Sequence, residues 1–254
     1  MKQEKQQTVL VTGASQGIGA AVARAFADAG YTVVLCARNQ SKLEALADEI
    51  GGHAYTLDVS DPQAVDRVLS QIEADLGQID ILISNAGVAM SASVTDTSDA
   101  DWAKMIAVNL TAGFYLCRHL LPGMKARKFG RVIFVASNAG LIGYPYTSGY
   151  CASKHGTIGL MRGLAAEYAL ENLTINAICP GFVETEMAYN AISNIESRTG
   201  RSADVARSAL EKINPQRRLI QCDEVAHMAL SLAHSGARGV HGQAIALDGG
   251  QVQH

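Results

Sequence analysis

The chain is poor in anything that would cross-link it, anchor it or bind a metal. Its five cysteines, Cys36, Cys117, Cys151, Cys179 and Cys222, are odd in number and scattered, with no C-x-x-C. That pattern excludes a disulfide scaffold and a zinc site, and fits reduced thiols in a cytoplasmic protein. The seven histidines form no H-E-x-x-H or comparable pair, so no metal site is expected. Excess positive charge is missing too: the net charge is −3, which speaks against a nucleic-acid binder working by phosphate neutralisation. No apolar run is long enough to span a bilayer, and Met1–Gln7 is polar with no signal core, so no membrane association is expected. Linkers, repeats and low-complexity tracts are absent as well. What remains is 254 residues, 48% hydrophobic, enough for one sizeable core in a single domain over 1–254.

Apolar strand-like runs alternate with helical periodicity along that length. Strands are predicted at Thr8–Val11, Thr32–Cys36, His53–Leu57, Ile79–Ser84, Arg131–Ala136, Leu173–Ile178 and Ala244–Leu247. Between them the pattern predicts helices at Gly17–Ala29, Lys42–Ile50, from Asp61-Pro62 onward, Asp101–Arg127, Thr147–Leu170 and Asp223–His234. Strands apolar throughout and separated by helices imply a parallel sheet covered on both faces. The expected fold is a doubly wound, Rossmann-type α/β domain with seven strands, binding its ligand beyond their carboxyl ends. Phe182 to about Arg218 is polar and helix-prone, follows the sixth strand directly, and is expected to form a lid over that edge.

Two patterns carry chemistry. Thr12-Gly13-Ala14-Ser15-Gln16-Gly17-Ile18-Gly19 joins the first strand to the first helix. Its glycines permit close backbone approach, and the helix start offers free N–H groups to a pyrophosphate. The spacing is G-x-x-x-G-x-G, which is not a Walker loop. Tyr150 and Lys154 are four apart, so a helix puts them on one face, and Ser137 lies thirteen residues upstream. An ammonium beside a phenol is expected to lower its pKa from ~10 and ready it for proton transfer. A serine hydroxyl nearby can hold the reacting oxygen.

Thr12–Gly19, Asn85-Ala86-Gly87, Asn109, Ser137, Tyr150-x-x-x-Lys154 and Pro180-Gly181 occur in order. Their spacing resembles that of the short-chain dehydrogenases/reductases, in the short single-domain branch, from about Thr8 to Gly250. The resemblance implies an oxidoreductase with Tyr150 as general acid or base. Lys154 lowers its pKa and binds the nicotinamide ribose, Ser137 holds the substrate oxygen, and Asn109 supports a water leading to Lys154. It also implies that Asn85, Ala86 and Gly87 let the backbone pass the adenosine half of the cofactor. Pro180, Gly181, Val183 and Thr185 border the nicotinamide, and Asp58 with Val59 contacts the adenine.

An acidic residue ending the second strand would select NAD; here Ala37 and Arg38 stand there, so NADP(H) is expected over NAD. Ser15 and Asn39 are expected to add hydrogen bonds. The whole chain resembles 3-oxoacyl thioester reductases and 3-hydroxyacyl dehydrogenases most, with Cys36-Ala37-Arg38 and Val183–Ala188 also similar to polyketide ketoreductases. Asn138, Tyr144 and Met187 are expected to line the substrate pocket with Ser137. Two basic clusters, Lys125/Arg127/Lys128/Arg131 and Arg198/Arg201/Arg207, are candidate contacts for a phosphate-bearing acyl carrier or else solvated faces. Glu171-Asn172, after the Tyr/Lys helix, departs from the basic carrier contact of fatty-acid reductases. The alternatives are another secondary alcohol or cyclic ketone (polyketide, steroid, sugar alcohol) or, remotely, a non-catalytic nucleotide-sensing scaffold. The family further implies a homotetramer built on the two long helices and the last strand.

Overall fold

Strand β1 (Thr8–Thr12) is buried at all five positions, so it needs protein on both of its faces. The computed structural model, which describes residues 6–253, supplies it. Val9 and Val11 point to one side, with Phe26 and Val22 of α1 (Gly17–Asp28), Leu43 of α2 (Gln40–Ile50) and Val225 and Leu232 of α9 (Cys222–Ala233). Leu10 points to the other side, with Leu69 of α3 (Pro62–Leu76), Leu116 and Leu120 of α5 (Ala112–Ala126) and Met161 of α6 (Ser148–Glu167). The period-2 alternation of one strand thus feeds two separate cores.

The remaining strands are β2 (Thr32–Ala37), β3 (His53–Thr56), β4 (Ile81–Ser84), β5 (Gly130–Val135), β6 (Leu173–Pro180) and β7 (Ala244–Leu247). All pairings are parallel, in the order β3-β2-β1-β4-β5-β6-β7. The seven-stranded doubly wound sheet expected from the sequence is what forms. The order reverses between β1 and β4, and the loops leaving those strands diverge to opposite faces, which opens a crevice at their carboxyl ends.

Local signals explain the boundaries. Asp61 accepts from the N–H groups of Gln63 (2.9 Å) and Ala64 (3.1 Å), and Pro62 fills the first turn of α3. Asn39 caps α2 by accepting from Lys42 N at 3.0 Å, so that helix starts two residues before the periodicity suggests. The long helix expected over Asp101–Arg127 is not regular. It is α4 (Asp99–Ile106), a wide π turn at Ala107–Thr111, then α5. The segment expected as a lid forms α7 (Glu186–Thr199) and α8 (Ala203–Ile213), which share a small core of Ile192, Ala206, Leu210 and Leu219 with Phe182.

The first basic cluster lies at the amino ends of the strands, opposite the crevice, and most of it is structural. Arg127 donates to the Ile79 carbonyl and its Nε stands 3.5 Å from the buried Asp80. Arg131 is buried, donates to Gly130 O (2.9 Å) and Asn172 O (3.3 Å), and lies over the Phe129 ring at 4.6 Å. Lys125 pairs with Glu171 at 3.1 Å. Asp80 is the pivot: besides Arg127 it accepts from Thr8 N at 3.1 Å, tying the starts of β1, β4 and β5 together. Asp80→Ala is expected to lower stability by about 3 kcal/mol in urea unfolding, because it strands the Arg127 charge and the Thr8 amide. An unchanged midpoint would refute this role.

Candidate active site

The glycine-rich turn is built against the loop that follows β4. Thr12 Oγ1 accepts from the N–H groups of Asn85 (3.0 Å) and Ala86 (3.1 Å) and donates to Ile83 O (3.4 Å). The Asn85 amide answers by donating to Thr12 O at 2.9 Å. Gly13 has φ +64°, and a Cβ on it would stand 2.9 Å from Ala86 Cα. A Cβ on Gly19 would lie 2.3 Å from Gly13 O. These two glycines are therefore required by the turn's own packing. No side chain caps α1, and no acidic residue occupies its first turn. Its N–H groups and dipole fit an anionic group arriving from the crevice. Gly17 faces the base of the α7–α8 segment, where a Cβ would meet Thr185 Cγ2 at 3.3 Å.

Beside this turn Arg38 directly follows β2, exposed, and its charge helps hold the Asp58 carboxyl below its ordinary range. Hydrogen bonds from Ser60 to Asp58 Oδ1, at 2.6 Å from the hydroxyl and 3.0 Å from the N–H, are the larger cause. Val59 is buried behind it. Ser15 is partly exposed on the turn. Asn39 has its oxygen committed to the α2 cap, which leaves its NH2 group available. Sequence reasoning missed Lys42, whose ammonium donates to Gln16 Oε1 at 3.0 Å and so places a second cation at the same edge. Its position in the first turn of α2 was the available signal.

On the other side of the crevice, α6 brings Tyr150 and Lys154 onto one face, with the ammonium 5.8 Å from the Tyr150 ring centre. Ser137, just after β5, favours the ionised form of the Tyr150 phenol, and its own oxygen accepts from Ala139 N at 3.1 Å. Lys154 is 4% exposed and donates to Val135 O at 2.9 Å. Gly140 has no side chain because a Cβ there would stand 2.7 Å from Lys154 O. Asn109, on the π turn, is buried. Its Oδ1 accepts from Val88 N (2.8 Å), and its Nδ2 donates to Val88 O (2.9 Å) and Ser153 Oγ (2.9 Å). Both amide hydrogens are thus spent on protein, and the side chain braces the loop after β4 against α6. It has no hydrogen left to donate to a water.

The electrostatics differ from the sequence expectation. Burial pushes the Tyr150 phenol up to about 12, and among the local forces only the Ser137 hydrogen bond pulls it down appreciably. Burial likewise lowers Lys154 from 10.5 to about 8. The expected depression of the phenol by the ammonium does not appear: Lys154 is turned to the Val135 carbonyl, and the protein around the phenol favours its neutral form.

At the end of β6, Gly181 N donates to Leu247 O at 3.1 Å, and a Cβ on Gly181 would press on Asp248 at 3.0 Å. Pro180 is paired with Leu247, and Val183 is buried in a bridge to Ile220. Thr185 caps α7, its oxygen accepting from Ala188 N at 3.4 Å. Next to it, Glu184 gathers Arg207 (2.8 Å), Tyr189 (2.9 Å) and Gln221 (3.0 Å), which hold its carboxyl down to about 2. Of the expected pocket residues, Tyr144 meets Phe182 edge-on at 5.9 Å and Met187 is 44% exposed on α7. Asn138 is instead tied to Asp248 (3.3 Å) and Gln251 (3.0 Å), two residues the sequence reading did not single out. Among the described residues no group of three His, Cys, Asp or Glu could hold a metal, and no helix is long and apolar enough to cross a membrane.

The comparisons agree with this arrangement. The family model for short chain dehydrogenase matches residues 7–196. The chain belongs to the short-chain dehydrogenase/reductase family. It is 36% identical to an acetoacetyl-CoA reductase of Rhizobium meliloti, over 96% of this chain and 98% of that one. It is 34% identical to a 3-oxoacyl-(acyl-carrier-protein) reductase of Escherichia coli K12, over 95% of both. A crystal structure of a single-substitution variant of actinorhodin polyketide ketoreductase with NADPH superposes with a TM-score of 0.95 over the full length of both chains, at 31% identity. This short-chain dehydrogenase/reductase is therefore an oxidoreductase, most like the 3-oxoacyl reductases.

The buried ammonium makes a prediction about stability. Lys154 titrates near 10.5 when exposed and near 8 when folded, a difference of ~3 kcal/mol against the folded state. That penalty is complete below pH 8 and vanishes as pH rises towards 10.5. Lys154→Met is expected to melt above the parent at pH 7 and to match it near pH 10.5. A variant less stable than the parent at pH 7 would refute the burial penalty.

Proposed function

We propose that this protein is an NADPH-dependent reductase of 3-oxoacyl thioesters, one catalytic domain with a lid, working as a cytoplasmic homotetramer. The observation that carries the reaction is the meeting of Ser137, Tyr150 and Lys154 at the crevice. A bound nicotinamide would supply the hydride. The chain's own residues do the rest. Ser137 donates to the substrate oxygen. Tyr150, held at about 12, is protonated at neutral pH and so stands ready as the acid that the oxygen needs as charge develops on it. Lys154, charged below about pH 8, offsets the phenolate left behind. Asn109 keeps α6 and the β4 loop in register around the pair.

The cofactor reading rests on Arg38 with Ala37 in place of a carboxylate, and on Lys42 beside Gln16. Two cations at one edge suit a 2′-phosphate. Pro180, Gly181, Val183 and Thr185 sit where the lid base meets the glycine-rich turn, which suits the nicotinamide end. The thioester reading draws on the acetoacetyl-CoA and 3-oxoacyl reductases. With the first basic cluster folded into the far edge and Glu171 paired to Lys125, a coenzyme A thioester fits better than a carrier protein. The polyketide ketoreductase match favours a second reading, a bulkier cyclic ketone using the same residues. A tetramer through α4, α5 and α6 would cover Trp102 and Phe114, which are 46% and 44% exposed.

Initial rates with acetoacetyl-CoA are expected to be high with NADPH and low with NADH. Failure with both, but turnover of cyclic ketones, would select the second reading. Arg38→Asp should reduce the NADPH preference by about ten- to hundredfold, since hydrogen bonds to charged groups are worth ~1.5–3 kcal/mol. Reduction should also decline as pH rises past about 8, where Lys154 loses its charge, while Tyr150 stays protonated to about 12. A rate that is flat to pH 10 would contradict that assignment of Lys154.

A further inference from the structure

Asp248 is 3% exposed and sits where β7 ends. Its Oδ1 accepts from the N–H groups of Gly250 and Gln251, both at 3.1 Å, and its Oδ2 from Val252 N at 3.0 Å. A carboxylate held this way only accepts, so the side chain beside it must donate. That side chain is Asn138, whose Nδ2 lies 3.3 Å from Asp248 Oδ2. The same NH2 group donates to Gln251 Oε1 at 3.0 Å. The glutamine's orientation follows: with its oxygen used, its Nε2 faces Tyr144 and donates to the phenol oxygen at 2.7 Å. Each amide is fixed by its neighbour, and the direction of the whole series is set by one acceptor-only group.

A phenol oxygen accepts twice but carries one hydrogen. Tyr144 accepts from the Gln251 amide, whose oxygen is taken by Asn138 and is not offered to the phenol in this orientation. Its proton is left to point elsewhere. The series borders the catalytic residues: Asn138 directly follows Ser137, Asp248 and Asn138 both stand against Gly181, and the Phe182 ring meets Tyr144 edge-on at 5.9 Å.

We propose that Tyr144 is a second hydrogen-bond donor to the substrate, aimed by the series Asp248–Asn138–Gln251, and that it takes the far carbonyl oxygen of a 3-oxoacyl compound. Gln251 is then a positioning residue: it acts on the substrate only through the direction of the Tyr144 hydroxyl. This rests on the ketone-reductase reading of the site and sharpens it, because the site would recognise two oxygens in a 1,3 relation rather than a lone ketone.

The test is the ratio of kcat/KM for acetoacetyl-N-acetylcysteamine to that for 2-octanone, with NADPH at pH 7.5. Tyr144→Phe removes the donor. Gln251→Glu keeps the size but supplies an acceptor that turns the Tyr144 proton away from the substrate. Both are expected to lower the ratio roughly five- to tenfold, the worth of one neutral hydrogen bond. Gln251→Leu removes the amide without supplying an acceptor and should lower it less than Gln251→Glu does. Should Gln251→Glu fail to fold, Tyr144→Phe decides alone. A ratio unmoved by Tyr144→Phe, or lowered as much by leucine as by glutamate at 251, would overturn the assignment. A parent enzyme inactive on the thioester but active on 2-octanone would instead overturn the 3-oxoacyl reading itself, whatever the variants do.

Discussion

One buried ammonium constrains the catalytic half of this protein. Lys154 keeps its charge 4% exposed, with the Val135 carbonyl as its protein hydrogen-bond partner. A cation in that position is tolerated only if the surrounding backbone is placed to meet it. The sequence around it reflects this. A Cβ at Gly140 would lie 2.7 Å from the Lys154 carbonyl. The π turn at Ala107–Thr111 turns Asn109 inward, and its amide locks the Val88 backbone and Ser153 together. Helix α6, the β4 loop and the end of β5 thus converge on one charge, and the same convergence puts Ser137 against Tyr150.

The proposed lid depends on a different charge. Glu184 lies at the junction between the end of β6 and α7, and it binds Arg207 from α8, Tyr189 from α7 and Gln221 from the start of α9. Its N–H donates to Ile220 O at 2.9 Å, so backbone and side chain fix the same joint. The segment's own apolar core is small, formed by Ile192, Ala206, Leu210 and Leu219 with partly buried neighbours. The polar joint fixes the direction in which the segment leaves the sheet, while this small core holds its two helices together. This is the kind of element that opens at low free energy while the sheet stays intact.

The sheet was legible in the sequence because a parallel strand buried on both faces reads as a continuous apolar run, and β1, β5 and β6 are buried from end to end. Gly13 and Gly19 were legible for a related reason: a turn this tight excludes every side chain, so the residue type reports the geometry. The π turn was not legible, since one extra residue in a helical turn leaves the apolar spacing of Asp99–Ala126 nearly unchanged. Nor was the role of Arg127 and Arg131, because a basic residue reads the same whether it faces water or a buried Asp80. The ionisation of Tyr150 could not be read from spacing. Four residues on a helix fix which face the ammonium shares, but not that burial of the phenol exceeds any help the ammonium gives.

The contacts that escaped the sequence altogether are the longest in range. Asn138 and Asp248 are 110 residues apart, and Tyr144 and Gln251 are 107 apart. No local pattern links them; they meet because β5 and β7 flank β6 and all three strands end at the same edge. The result is a site with a buried charge on each side. Lys154 is stabilised by a backbone carbonyl and faces Tyr150. Asp248 is stabilised by three backbone N–H groups and reaches Tyr144 through two amides. In both cases the backbone holds the charged group beside a tyrosine hydroxyl. A neutral network would lack that sense of direction, because an amide or a hydroxyl can be reversed at little cost whereas a carboxylate cannot donate and an ammonium cannot accept. This gives a physical reason for a fold to bury two charges beside a pocket that is otherwise built from neutral groups.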